Sequence, residues 1–362
     1  MSEGQELVHP EVGRAWTLPS RYYTDPGVHS QLVERCFARS WQFLGGRDLA
    51  KLPGQIEPLT LLEGSLDEPI LLTCDRNDQV HCLSNVCTHR GNLVAEGSAN
   101  SNSLRCRYHG RRFGLDGKLL SMPEFEGVEG FPCDKDDLAR VPAGQWNGFW
   151  FAGVDPSCSL EEYLAEVEER VGWMPFDQFV PEPDLARTYL VRANWALYVD
   201  NYLEGFHIPY IHAALNATLD YSSYRTILLR HGNLQLGTAA DSEPAFELPA
   251  GHPDSGERVG AFYFWMFPNL MLNFYPWGLS VNVVRPIGVA LTKVEFIPFV
   301  WRSELRDQGA GAQLDRVERE DEAVVEMVQR GLRSRFYDRG RYAVEREKGV
   351  HQFHRMLAAC LE

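Results

Sequence analysis

Between residues 87 and 109 the chain reads CTHRGNLVAEGSANSNSLRCRYH, a Cys-x-His pair and a Cys-x-x-His pair with sixteen residues between them. If these four side chains serve one group, the chain must form two loops that face each other. Zinc modules usually pair like with like on each arm. Here each arm carries one cysteine and one histidine. That suits a two-iron, two-sulfide cluster in which one iron takes Cys87 and Cys106 and the other takes His89 and His109. Neutral imidazoles in place of anionic thiolates make such a cluster a readier electron acceptor. Zinc, or four unrelated loop residues, are the alternatives. Gly91, Gly110 and Gly114 fit loops that approach a cluster closely, because glycine permits tight turns.

Around this stretch, from residue 39 to 155, short β-rich runs alternate with turn signals such as DRND and LDGK. This predicts a small all-β domain. Residues 1–38 read as a helical arm, with apolar residues at helical spacing in VHSQLVERCFARS. Residues 156–362 begin with the amphipathic run SLEEYLAEVEERV and continue in long strand-like runs, with helices expected at about 195–208 and 314–335. The whole is α+β, with helices against an antiparallel sheet in the second domain. A net charge of −15 argues against nucleic-acid binding. No stretch approaches 18 apolar residues, so no membrane span is expected. No signal-like start is visible. Eight scattered cysteines then read as thiols or metal ligands in a reducing cytoplasm rather than a disulfide framework. Cys74, Cys82, Cys133 and Cys158 read as buried apolar residues or free thiols.

A second constellation lies in NWALYVDNYLEGFHIPYIH, residues 194–212. On a helix, Trp195, Val199, Tyr202, Leu203 and Phe206 share an apolar face, and Asp200, Glu204 and His207 share another. Pro209 should break the helix and turn His212 toward His207. From Ala193 to Ser223 there is no Lys or Arg. Acids without basic partners are costly to bury unless a metal compensates them. Two histidines need a carboxylate to complete a facial triad for non-heme iron. In the run 314–332, Asp321 shares its helical face with Val317, Val324, Val325, Val328 and Leu332 and should point inward. Glu320 is intermediate, and Glu322, with Glu318, Glu326 and Gln329 around it, should face water.

With both constellations in order, the chain resembles the α (oxygenase) subunit of Rieske non-heme iron ring-hydroxylating oxygenases over nearly its whole length. The resemblance implies an all-β Rieske domain and a helix-grip, START-like catalytic domain. It implies a [2Fe-2S] cluster on Cys87, His89, Cys106 and His109, and a mononuclear Fe(II) on His207, His212 and Asp321. Glu204 matches the carboxylate that carries electrons from one subunit's cluster to its neighbour's iron in a head-to-tail ring. A homotrimer is therefore expected, with His109, Glu204 and His207 on the electron path.

The family commonly has Asp at position 204. Glu there, in EGFHIPY, is similar to choline-monooxygenase-type relatives. Arg107-Tyr108-His109-Gly110-Arg111 departs from the usual Pro-Tyr-His-Gly-Trp, and the two cations could raise the cluster's potential or reshape a docking surface.

The expected function is hydroxylation or oxidative demethylation of a small organic substrate by dioxygen. No nicotinamide or flavin fingerprint is present, so a separate NAD(P)H-dependent reductase is expected to supply the electrons. The substrate stays open between an aromatic ring and a quaternary amine. Phe262, Phe264, Tyr275 and Trp277 could form an aromatic cage for a cation or simply fill the core. A pure electron carrier or a zinc-stabilised binding module are the competing classes.

Overall fold

The computed structural model describes residues 7–212, 225–306, 308 and 314–362. It has two compact units. One is Ala38–Glu162; the other joins Tyr163–Glu362 to the residues up to Phe37.

The first unit is three small antiparallel sheets. Strands β1 (Gln42–Gly45), β9 (Ala143–Trp146) and β10 (Phe149–Ala152) form one, in the order β1-β10-β9. Strands β2 (Gln55–Leu61), β3 (Glu68–Cys74), β4 (Val80–Ser84) and β5 (Ala99–Asn100) form the second, in the order β4-β3-β2-β5. The third is β6 (Leu104–Arg105), β7 (Arg112–Phe113) and β8 (Leu119–Ser121). Leu71, Leu83, Leu104, Phe113 and Leu115 pack into one core cluster that includes Cys87 and Cys106. The two cysteines are thus rooted in apolar packing, and the loops that carry them are held at their bases.

The second unit is built on an antiparallel sheet of β11 (Val180–Pro181), β12 (Arg187–Val191), β13 (Arg225–Leu228), β14 (Gly232–Thr238), β15 (Val259–Met266), β16 (Leu270–Tyr275), β17 (Gly278–Gly288) and β18 (Leu291–Val300). The order is β11-β18-β17-β16-β15-β14-β13, with β12 also on β18. Strands β14 to β17 are buried on both faces for most of their length, so they read as near-continuous apolar runs rather than alternating ones.

The helices are α1 (Arg21–Thr24), α2 (Pro26–Leu32), which runs on into a π-turn at Val33–Phe37, α3 (Leu160–Val171), α4 (Trp195–Tyr202), α5 (Ile208–Ile211), α6 (Leu314–Gly331) and α7 (Lys348–Leu361). Asn194 caps α4, its side chain accepting from the Ala196 N–H at 3.0 Å. Trp195, fully buried, joins three parts of the unit. Its ring meets Phe37 of the arm edge-on at 4.8 Å and Phe353 of α7 at 5.7 Å, and Phe353 in turn meets Trp265 of β15 at 5.1 Å.

Four expectations are corrected. The helix expected at 195–208 ends at Tyr202, with the Leu203 N–H closing it on Val199 and Asp200. Pro209 then lies in the first turn of α5, where its missing N–H is harmless; it starts a helix rather than breaking one. Helix α6 stops at Gly331 instead of 335. Cys36 and Cys360 pair as a disulfide with Cα atoms 5.9 Å apart, 324 residues apart in sequence. The arm's π-turn and the end of α7 lie side by side, and no local spacing could announce that. Cys74 and Cys82 are buried, whereas Cys133 is exposed.

Trp195→Ala should cost about 3–5 kcal/mol. A lowered denaturant midpoint followed by tryptophan fluorescence would show it; a change under about 1 kcal/mol would mean that the arm and α7 pack independently of this ring.

Candidate metal centres

In the first unit the two loops are built alike. The Gly91 N–H donates to the Cys87 carbonyl at 3.0 Å and the Gly110 N–H to the Cys106 carbonyl at 3.1 Å. Both glycines have positive φ, +70° and +78°, which they adopt without the Cβ clash other residues meet. Cys87 and Cys106 are buried, while His89 and His109 are partly exposed with their Nδ1 atoms 3.2 Å apart. With thiols inside and imidazoles at the rim, the donor set of two cysteines and two histidines suits a mixed-ligand two-iron cluster. Burial raises the Cys87 pKa, and the Arg111 charge is among the opposing influences.

Arg111 is not a surface cation. It is 2% exposed, donates to Asp136 Oδ1 at 2.6 Å, and lies over the rings of Phe113 and Phe131. It is a fixed charge beneath the loops and cannot reshape a docking surface. Arg107 is exposed, 3.9 Å from Glu96.

In the second unit His207, His212 and Asp321 bring one donor atom each within 4.8 Å of one another. Their convergence depends on α4 and α6 packing together. Tyr198 of α4 donates to Glu318 Oε2 at 2.7 Å, Asn201 donates to Asp321 Oδ1 at 2.7 Å, and the Asn194 N–H donates to Gln329 Oε1 at 2.6 Å. Asp321 Oδ1 is the meeting point: His212 Nε2 lies 2.9 Å from it and His207 Nε2 3.4 Å. The opposite nitrogens are held by carboxylates, His207 Nδ1 by Glu204 Oε1 at 2.7 Å and His212 Nδ1 by Glu320 Oε2 at 2.8 Å. Such partners fix the tautomer that leaves Nε2 free for a metal. Glu204 is itself fixed, its Oε2 accepting from the His207 N–H at 3.0 Å.

Burial opposes a charged His207, yet the hydrogen bonds to Asp321 and Glu204 hold its pKa up at about 9. Asp321, despite burial, is held below the ordinary carboxylate range by the two histidines. The site therefore draws in positive charge. Two imidazoles and a carboxylate on one side, with a cavity on the other, fit a non-heme iron.

That cavity, of about 140 Å³, is lined by Tyr198, Tyr202, Tyr263, Tyr275, Phe296 and Glu318, with the triad and Glu204 at one side. Of the four rings expected to line it, only Tyr275 does. Trp277 stacks behind Tyr275 at 5.1 Å, and Phe262 and Phe264 pack among other rings of the sheet. A second cavity, of about 260 Å³, shares Asn201, Glu204 and His207 with the first and adds Asp200, Tyr23 and His354. Asp200 does not join the triad: it accepts from Tyr23 at 3.0 Å and lies 2.8 Å from His354. Phe206, expected on an apolar face, is 42% exposed because the helix has already ended.

The face of α6 expected in water is only partly exposed, with Glu322 and Glu326 half-buried. Glu318 and Gln329 are buried, and Glu326 accepts from the Arg192 N–H at 3.0 Å. Val328, expected inside, is exposed. Helix α6 is covered on more sides than its apolar stripe indicates, because polar groups of α4 and the chain after β12 pack on it. Asn201, Tyr198 and Glu318 were missed for this reason. Only the absence of Lys and Arg between residues 193 and 223 hinted at buried acids here.

Residues 47–132 match the Rieske [2Fe-2S] domain family, and residues 176–362 match the ring-hydroxylating α subunit (catalytic domain) family. The chain is 32% identical to the chloroplastic choline monooxygenase of Arabidopsis thaliana, over 95% of this chain and 82% of that protein. It is 31% identical to the carnitine monooxygenase oxygenase subunit of Escherichia coli K12, over 95% and 93%. The fold superposes on the quaternary ammonium Rieske monooxygenase CntA with a TM-score of 0.80 at 25% identity, covering 100% of this chain and 99% of that one. It also superposes on naphthalene 1,2-dioxygenase from Rhodococcus sp. with a TM-score of 0.72 at 19% identity, covering 95% and 94%.

Glu320→Ala should weaken Fe(II) binding about 10–100-fold by freeing the His212 ring while leaving the cluster's visible spectrum unchanged. Chelator competition measures the first, and an unchanged iron affinity would remove Glu320 from the site. The His207–His212–Asp321 triad, the paired Cys/His loops and the two family matches together make this chain a Rieske-type oxygenase, a member of the ring-hydroxylating α-subunit family.

Proposed function

We propose that this chain is the oxygenase component of a Rieske monooxygenase that oxidises a choline-type quaternary ammonium compound. One observation carries the reading: the cavity beside the triad is lined by Tyr202, Tyr263, Tyr275 and Phe296 and by the carboxylates of Glu204, Glu318 and Asp321, with no Lys or Arg among the lining residues. Nor do residues 1–6, 213–224, 307 and 309–313 carry a Lys or Arg. Aromatic faces and acids favour a cation. A substrate with its own carboxylate would find no Lys or Arg there to pair with. Similarity to choline and carnitine monooxygenases supports the quaternary ammonium class, and the missing base favours choline over carnitine chemistry.

Cys87, Cys106, His89 and His109 would hold the cluster; His207, His212 and Asp321 would hold the iron. When bound, these groups supply one-electron transfer and dioxygen activation. The balance is substrate C–H, dioxygen, two electrons and two protons in, and C–OH and water out, with the electrons from NAD(P)H through a separate reductase. Glu204 lines both cavities, which supports its role as the link between His207 and a donor entering from the second cavity. In a homotrimer that donor is the neighbouring subunit's His109.

Iron-loaded protein with a Rieske-oxygenase reductase, NADH and choline should consume oxygen and form the aldehyde-level product; NADH without reductase should not suffice. Glu204→Ala should lower turnover at least 100-fold while the cluster is still reduced at the normal rate. Turnover of neutral aromatics, with choline inert, would overturn the substrate reading.

A further inference from the structure

Glu318 is a buried acid with half of its carboxylate unused. It is 5% exposed, and its Oε2 accepts from Tyr198. Its Oε1 is buried with no hydrogen-bond partner, although the side chain lines the substrate cavity. Burial pushes its pKa up to about 8; the Tyr198 hydrogen bond opposes the rise, and the charges of Asp321, Glu322 and Asp315 add to it. Leaving a buried carboxylate oxygen unpaired is unfavourable unless something absent from the folded chain completes it. A primary amine would complete it by donating hydrogen bonds. A quaternary ammonium has no N–H and would complete it by charge alone, against a wall of rings that accept its methyl groups.

We propose that Glu318 is the counter-ion of the substrate's quaternary ammonium group and so determines both which substrates enter and which carbon faces the triad. The inference rests on the quaternary ammonium reading of this cavity. Glu318 precedes Asp321 by three residues on α6, roughly one helical turn or about 5 Å of rise. An ammonium seated at Glu318 therefore sets a carbon two or three bonds away beside His207, His212 and Asp321. Glu318 is a positioning residue, and substrates of similar shape but no charge lose its contribution.

The test compares choline with 3,3-dimethylbutan-1-ol, in which carbon replaces the charged nitrogen, by calorimetry on holoenzyme without oxygen at about pH 9, above the raised pKa of Glu318, so that its carboxyl is ionised. Wild type should prefer choline. Glu318→Gln, close in shape to the protonated acid, should weaken choline roughly 10–100-fold and the neutral alcohol less than about threefold. Equal losses for both ligands, or none for either, overturn the inference. A crystal structure of wild-type holoenzyme with choline tests it without a variant: the methyl carbons should lie within about 4 Å of Glu318 Oε1, and an ammonium seated elsewhere overturns it. Wild type that binds no choline overturns the substrate reading and this inference together. Wild type that binds choline no better than Glu318→Gln does overturns the inference alone.

Discussion

The acceptor that organises the second unit is Asp321 Oδ1. It draws together His207, His212 and Asn201, three side chains from the stretch between Asn194 and His212, onto one atom of α6. No Lys or Arg among the described residues pairs with this carboxylate, and its side chain is only 14% exposed. Its stability depends on donated hydrogen bonds and on the rings' positive charge, which a divalent ion would replace. Once that atom is fixed, the rest follows. Helix α4 must end before Glu204, so that Glu204 and His207 can turn back toward it. Helix α5 must be short, so that His212 arrives from the other side. Helix α6 must present polar groups as well as apolar ones toward α4.

The same packing produces an acidic, ring-lined cavity. Glu204, Glu318 and Asp321 reach it from two segments, and the sheet supplies Tyr263, Tyr275 and Phe296. Each carboxylate meets a different environment. Asp321 faces imidazoles, Glu204 holds the far nitrogen of one of them, and Glu318 has one tyrosine and an unfilled side. Their chemistry differs accordingly: metal ligand, electron link and cation anchor in the proposed reading.

The cluster loops were legible because their signal is local. Two spaced Cys/His pairs and the glycines that turn them lie within a few residues, and metal chemistry restricts the spacing. Asp321 was legible from helical periodicity once the histidines called for a carboxylate. What stayed hidden depends on packing between distant segments. Glu318 and Gln329 looked solvent-facing because periodicity marks an apolar stripe and says nothing of a polar helix laid beside it. Arg111 stayed open between tuning the cluster and shaping a docking surface because its partner Asp136 is 25 residues away. The Cys36–Cys360 pair joins the chain's two ends. Tyr275 could not be told from Trp277 or Phe262, since every second ring of a sheet buried on both faces has an equal claim to the cavity.

Anomalous diffraction at the iron edge from crystals of the iron-loaded protein tests the central claim most directly. The account predicts one peak within bonding distance, about 2.0–2.2 Å, of His207 Nε2, His212 Nε2 and Asp321, and a separate pair of irons between Cys87 and Cys106 on one side and His89 and His109 on the other. A single iron site confined to the Cys/His loops, or iron bound away from Asp321, would contradict it.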